Sequence, residues 1–207
     1  MENFKYLGVT LNEDNNNQMD LQGRTKNVNK TYFVLRKFFK NENVSKKLKL
    51  RLKNTTIDKV LTCASETGTL TKRDRQQLNV FERKVYRRIL GPVYDTEKEN
   101  WRILTNKDIY VMVIKPTVTE RVRLNRLRWF GDVQRMEENR IPRRVLYMNL
   151  GTTRLRGRPR NIRQDEVRQD GRIVGGKGWQ EKVQNREERK KLRRKTRNCC
   201  ILHVPIE

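Results

Sequence analysis

Histidine is nearly absent from this chain. With His203 as its single histidine, neither a His-based metal cluster nor a His-based catalytic triad is expected. Cysteine is also sparse. Cys63, Cys199 and Cys200 make an odd number in a chain without an export signal, which predicts reduced thiols inside the cell. No run of about 18 apolar residues occurs, so no segment is expected to span a bilayer. Residues 1–10 lack the charged-then-apolar layout of a secretory signal. The expected location is intracellular, nuclear or cytoplasmic, and not secreted.

Acidic residues are in short supply too. Against 24 Asp and Glu stand 49 Lys and Arg, a formal net charge of +25. Self-repulsion on that scale weakens a compact state unless a polyanion neutralises it. Nucleic acid is the natural polyanion, because each neutralised phosphate releases condensed counterions. An anionic membrane surface is the rival, but no long basic helix with Trp or Phe on a clean apolar face supports it. Only 34% of the 207 residues are hydrophobic, and the mean hydropathy is −0.97. A small helical core is expected, and not one that encloses the whole chain.

Phe4 to Leu11 is apolar and β-prone, and the Asn-rich run to Asn17 breaks it. A lone strand is unstable in water, so its partners must lie elsewhere or be missing. From about Met19 to Lys40, Val28, Tyr32, Leu35 and Phe39 recur at helical spacing. A second helix is expected from an N-cap at Ser45 to about Leu61, burying Leu50, Ile57 and Leu61. A third starts at Thr71, with Asp74 in place of the usual capping-box Glu. Its stripe is Leu78, Phe81, Val85 and Ile89, and Gly91-Pro92 stops it. Tyr94 to Lys107 reads as loop with Trp101 as an anchor. Thr117 and Glu120 then mark another helix start, with Leu124 and Leu127 on one side and Gly131 as its end. Residues 151–207 carry 17 Lys and Arg against 7 Asp and Glu, with few large apolar side chains. Such a segment is expected to be a basic tail of low order or isolated helix.

Several motifs stand in a meaningful order. Phe4-Lys5-Tyr6-Leu7-Gly8 resembles the primer-grip hairpin that follows the catalytic palm in non-LTR retrotransposon (LINE-type) reverse transcriptases. Glu66-Thr67 with Thr69-Leu70-Thr71 resembles that family's lead-in to a thumb helix, and Phe81 to Pro92 resembles the helix and its stop. Arg126-Leu127-Arg128-Trp129-Phe130-Gly131, Val133, Arg135-Met136, Arg140-Ile141-Pro142 and Arg156-Gly157-Arg158-Pro159-Arg160 follow, then Asp165, Val167 and Asp170. The likeness spans roughly residues 4–170 and is to elements whose reading frame joins an endonuclease to the reverse transcriptase. There are departures. Cys63-Ala64 stands where the family usually has Tyr-Gly, Gly68 where it has Trp, Ile162-Arg163 where it has Arg-Trp, and Asp132 where a His is common.

The resemblance implies a mainly α, thumb-like helical bundle with a short N-terminal β element and a basic tail. It divides the chain into a hairpin (1–17), a helical thumb-like region (18–150) and the tail (151–207). In the family, polymerase chemistry belongs to palm carboxylates that hold two metal ions. This sequence contains no Asp-Asp pair. The expectation is a retrotransposon-derived fragment without palm or endonuclease, not an enzyme on its own, and without a cofactor, since magnesium would belong to the palm. Expected partners are RNA, DNA or their hybrid, held through phosphates, and no membrane. The nominated contacts are Lys5, Tyr6 and Gly8 in the hairpin and Lys84, Arg87 and Arg88 in the third helix. Arg121 and Arg128 follow, then Arg156, Arg158 and Arg160. Arg121, Arg123, Arg126 and Arg128 alternate around a helix, so about half are expected to be plain surface. The rival is a host-recruited or non-functional basic helical protein with no nucleic-acid role.

Three motifs are weaker. Gly171 to Lys177 fits the opening of a phosphate loop, but Gly178 stands where Ser or Thr must bind magnesium and no strand leads in. It reads as flexible tail. Cys199, Cys200 and His203 are one ligand short of a structural zinc site. The basic run Arg189 to Arg197 fits either a nucleic-acid or import patch or a solvated charge run.

Overall fold

A computed structural model describes residues 4–6, 9–11, 17–66, 68–147, 163–188, 190–191 and 194. These residues are mainly helical, with a short N-terminal two-stranded sheet. The β-prone segment supplies its own partner. β1 (Phe4–Tyr6) pairs antiparallel with β2 (Val9–Leu11), Phe4 opposite Leu11 and Tyr6 opposite Val9. The Thr10 amide donates to the Asp20 carboxylate at 2.9 Å, which ties the hairpin to α1 (Asn17–Lys40).

Val28, Tyr32 and Phe39 of α1 are buried, as their spacing predicts, and Leu35 packs at the edge of the same cluster. Ser45 caps α2 (Lys46–Thr55) by accepting from the Leu48 amide. The expected continuous helix to Leu61 is broken after Thr55. The Thr55 and Thr56 hydroxyls both donate to the Leu52 carbonyl, at 3.1 and 2.7 Å. Back-bonding of this kind competes with the helical ladder. The chain restarts as α3 (Ile57–Thr62), which buries Ile57 and Leu61.

α4 (Lys72–Leu90) has the expected Thr71–Asp74 capping box and ends at Gly91, whose φ of 78° only glycine adopts readily. It serves two clusters. Leu78, Phe81, Val85 and Ile89 meet α1 and α3, while Tyr86 and Leu90 meet Ile109, Tyr110 and Val113 of α5 (Asn106–Val113). Between α4 and α5 lies a hairpin, β3 (Val93–Asp95) against β4 (Asn100–Arg102), rather than plain loop. Trp101 is no buried anchor. It is 65% exposed and rests only edge-on against Tyr94, because the hairpin turns both rings outward on the same side. α5 itself carries a legible start, Thr105 with Asp108, the same box as at Thr71.

α6 (Val118–Gln134) begins at the expected Thr117–Glu120 box but does not stop at Gly131. Val133 beyond the glycine is buried, and that burial carries the helix through. After α7 (Ile141–Tyr147), the low-order tail reading fails over part of its length. α8 (Arg163–Gly175) and α9 (Trp179–Gln184) pack on α6, joining Val167, Trp179 and Val183 to Leu127. The composition of the whole tail hides this local apolar set. Gly171 to Gly175 is helical and no phosphate loop, and a side chain at Gly171 would overlap the Trp179 ring at 2.2 Å. Cys199, Cys200 and His203 lie outside the described residues. Among the described residues no helix is long and apolar enough to cross a membrane.

Candidate nucleic-acid interface

A chain this basic must first be sorted into cations that hold the fold and cations that face outward. The inward set is unusual. Lys53 is fully buried, with its ammonium 2.9 Å from the Asp58 carboxylate, 3.1 Å from Glu82 and 4.1 Å above the Tyr86 ring. Arg121 completes a neutral quartet, 2.7 Å from Asp58 and 3.5 Å from Glu82. Glu82 also accepts from the Tyr86 hydroxyl at 3.3 Å and from the Val118 amide, the first of α6, at 3.1 Å. Four helices meet on these charges. Burial acts against the Arg121 charge, but Asp58 and Glu82 together hold its guanidinium above its ordinary range.

A second buried set fixes α8. Arg126 is 1% exposed, pairs with Glu166, lies 2.9 Å from Asp170 and donates to the Gly68 carbonyl at 3.2 Å. Glu166 accepts the Leu70 amide at 3.1 Å, and Arg75 and Arg123 approach Glu166 and Asp170 at 3.4 Å each. Burial pushes both carboxyls up from the usual carboxylate range, against the pull of Arg126.

The two buried tyrosines give the core a pH signature. Burial raises Tyr86 far above its ordinary value, helped by Glu82 and Asp58. Burial likewise raises Tyr110, from 10.0 to about 12. A folded-state pKa above the unfolded one contributes stability that is complete below the unfolded value and lost as pH rises through the folded one. The fold is therefore expected to lose stability from about pH 10 upward. Ultraviolet titration should show two phenols that ionise only with unfolding. Phenolate appearing at all six tyrosines near pH 10.0 in the folded protein would contradict this.

The nominated contacts divide. Arg121 belongs to the quartet with Lys53, Asp58 and Glu82, its own side chain still 24% exposed. Arg87 donates to the Leu104 carbonyl at 3.2 Å and the Asn106 side chain at 2.7 Å, clasping the hairpin–α5 junction to α4. Lys84 is exposed and stands 5.4 Å over the Tyr32 ring, while Arg88 is half-buried beside it on α4. Lys5 and Tyr6 are exposed on β1, and Arg128 is exposed on α6. Arg128 has an intramolecular partner of its own. Gly8, Arg156, Arg158 and Arg160 lie outside the described residues. Lys5 and Tyr6, Lys84 and Arg88, and Arg128 thus stand on three elements, β1, α4 and α6.

What the sequence reading missed is the outer face of α1. Lys26, Lys30, Lys37 and Lys40 are all exposed, and Phe33 among them is 72% exposed. At 100° per residue these five fall within an arc of roughly 80°, and at 1.5 Å per residue they run along about 21 Å. α1 has no acidic residue after Asp20, which pairs with Arg24. The following helix adds exposed Lys46, Lys47 and Arg51, and Glu42 is the only acid between residues 21 and 57. The signal was available as lysines at intervals of four, seven and three on the side away from Val28 and Phe39. A regular row of cations that pair with no acid among the described residues, with a solvent-facing ring, is chemically suited to phosphates and base faces. Among the described residues no group of three or more His, Cys, Asp or Glu stands together as a metal site.

Compared with models of known families, with curated proteins and with solved structures, the chain matches none.

Proposed function

We propose that this chain is the duplex-gripping part of a non-LTR reverse transcriptase, binding template–primer through phosphates without carrying polymerase chemistry. The observation that carries the reading is the α1 face, where Lys26, Lys30, Lys37 and Lys40 flank exposed Phe33 with no ion pair to an acid among the described residues. Motifs quoted for the resemblance also meet in space. Arg126 reaches Gly68 and Asp170, and Leu127 packs with Val167. Contacts to phosphate position a protein without reading sequence, so the expected binding is tolerant of sequence and steeply dependent on salt. Labelled RNA–DNA hybrid and DNA duplexes of unrelated sequence, incubated with the protein at low and physiological salt, test this. Retention of all of them at low salt and loss at higher salt is expected. Retention of none, or binding unchanged by salt, would sink the reading.

One observation favours a protein-interaction role instead. The β3–β4 hairpin and its exit expose Trp101 and Ile103, at 65% and 74%, and Tyr94 stands exposed beside Trp101. A chain that ignores every duplex in the same assay would support that role.

A further inference from the structure

Between α6, α7, α8 and α9 lies a partly open cavity of about 170 Å³. A cavity of roughly 150 Å³ accepts a single benzene ring, so this one has the size for one small ring system. Its walls combine two kinds of group. Phe130 and Trp179 lie with ring centroids 5.7 Å apart and tilted by 42°, so they offer aromatic surface without stacking on each other. Around them stand carboxamides. Gln134 donates to the Tyr147 hydroxyl and Gln164 to the Leu146 carbonyl, which holds both side chains at the wall. Gln180 is exposed at the lining. Among the described residues no carboxylate lines the cavity, and the one cation there is Arg168, which is 60% exposed and only loosely paired with Asp165 at 3.6 Å.

We propose that this cavity receives one unpaired nucleobase from a strand that runs on beyond the gripped duplex, an inference that rests on the nucleic-acid reading above. A base brings a π-face for the rings and a hydrogen-bonding edge for the carboxamides. Its attached phosphate suits Arg168 and the absence of acid. The walls of the pocket are tied to one another. The Arg126 cluster pins α8 to α6, and Trp179 seats against the bare Cα of Gly171. Aromatic stacking supplies enough affinity per base to be read out, and a duplex with no unpaired base cannot use it.

The test compares a blunt duplex with the same duplex carrying a short single-stranded extension, with 5-iodouracil in the extension for photocrosslinking. The native chain is expected to bind the extended duplex about tenfold more tightly, within the range of one stacked base. Crosslinks should map to Phe130, Tyr147 or Trp179. Phe130→Leu keeps apolar bulk while removing the ring, and Gln180→Ala alters only an exposed side chain. Both are expected to bring the ratio toward one while leaving blunt-duplex affinity unchanged. Blunt duplex bound with no preference for the extension, or crosslinks confined to other residues, would overturn the pocket alone. Failure to bind either duplex would remove the grip reading together with it.

Discussion

Glu82→Leu is expected to cost about 3–5 kcal/mol of folding stability, the range for removing one partner from a buried ionic group. The reason lies in what Glu82 holds. Its carboxylate faces Lys53 at 3.1 Å, accepts the Tyr86 hydroxyl, and caps the first amide of α6 through Val118. Leucine fits the neighbouring apolar stripe but leaves Lys53 and Arg121 with Asp58 as the only remaining carboxylate of the quartet. Against a whole-domain stability of roughly 5–15 kcal/mol the loss is large. It corresponds to a drop in Tm of roughly 6–20 °C for a chain of this length. Calorimetry or a denaturant melt reads it directly. Glu82→Leu combined with Lys53→Met removes one charge of each sign and is expected to recover part of the loss, because Asp58 and Arg121 then form a neutral pair. A single variant as stable as the native chain would show that the quartet is not what joins α2, α3, α4 and α6.

Arg126→Ala is expected to release α8 and α9 from the rest of the fold. The guanidinium is the main positive charge between Glu166 and Asp170, and it also reaches the loop before α4 through Gly68. Without it two buried carboxylates face one another, with Arg75 and Arg123 at 3.4 Å as their remaining partners. A loss of about 3–5 kcal/mol follows by the same reasoning. It is local as well as global, because Leu127, Val167, Trp179 and Val183 form a small cluster that depends on this junction. Proteolysis is therefore expected to cut first within residues 163–184. The pH dependence has a definite sign. Both carboxyls already sit above their ordinary range through burial, and loss of Arg126 raises them further. Stability from raised groups is present at low pH and lost as pH rises through the folded values. The deficit of the variant against the native chain should thus be larger at neutral pH than in acid. An equal deficit at both would argue that Arg126 acts by packing alone.

The two sites differ in how far the sequence exposed them. Two helix starts were legible from a Thr three residues before a carboxylate, at Thr71 and Thr117, because capping is local chemistry. The same box at Thr105 was overlooked within a segment read as loop. The buried charges were harder. Glu82 lies four residues after Leu78 and four before Tyr86, on the face that meets α6, yet composition argues against a charge in the core. Only the convergence of Lys53, Asp58 and Arg121 from three other helices neutralises it, and periodicity along one helix cannot show that. α8 and α9 were missed for a related reason. Val167, Trp179 and Val183 are too few to register across a long basic segment, but they suffice once α6 offers Leu127 and Arg126. The candidate interface was legible only in part. Nominated Arg121 and Arg87 make contacts within the fold, whereas the lysines of α1 stand on the side opposite the apolar residues that marked the helix.

A salt series of duplex affinities, measured for the native chain and for one with Lys26, Lys30, Lys37 and Lys40 all changed to alanine, bears most directly on the proposed grip. Each phosphate contact contributes close to one unit to the slope of log affinity against log salt. The native slope should be steep, and the variant shallower by about three to four units with its folding unchanged. Equal slopes for the two proteins, or a native affinity indifferent to salt, would contradict it.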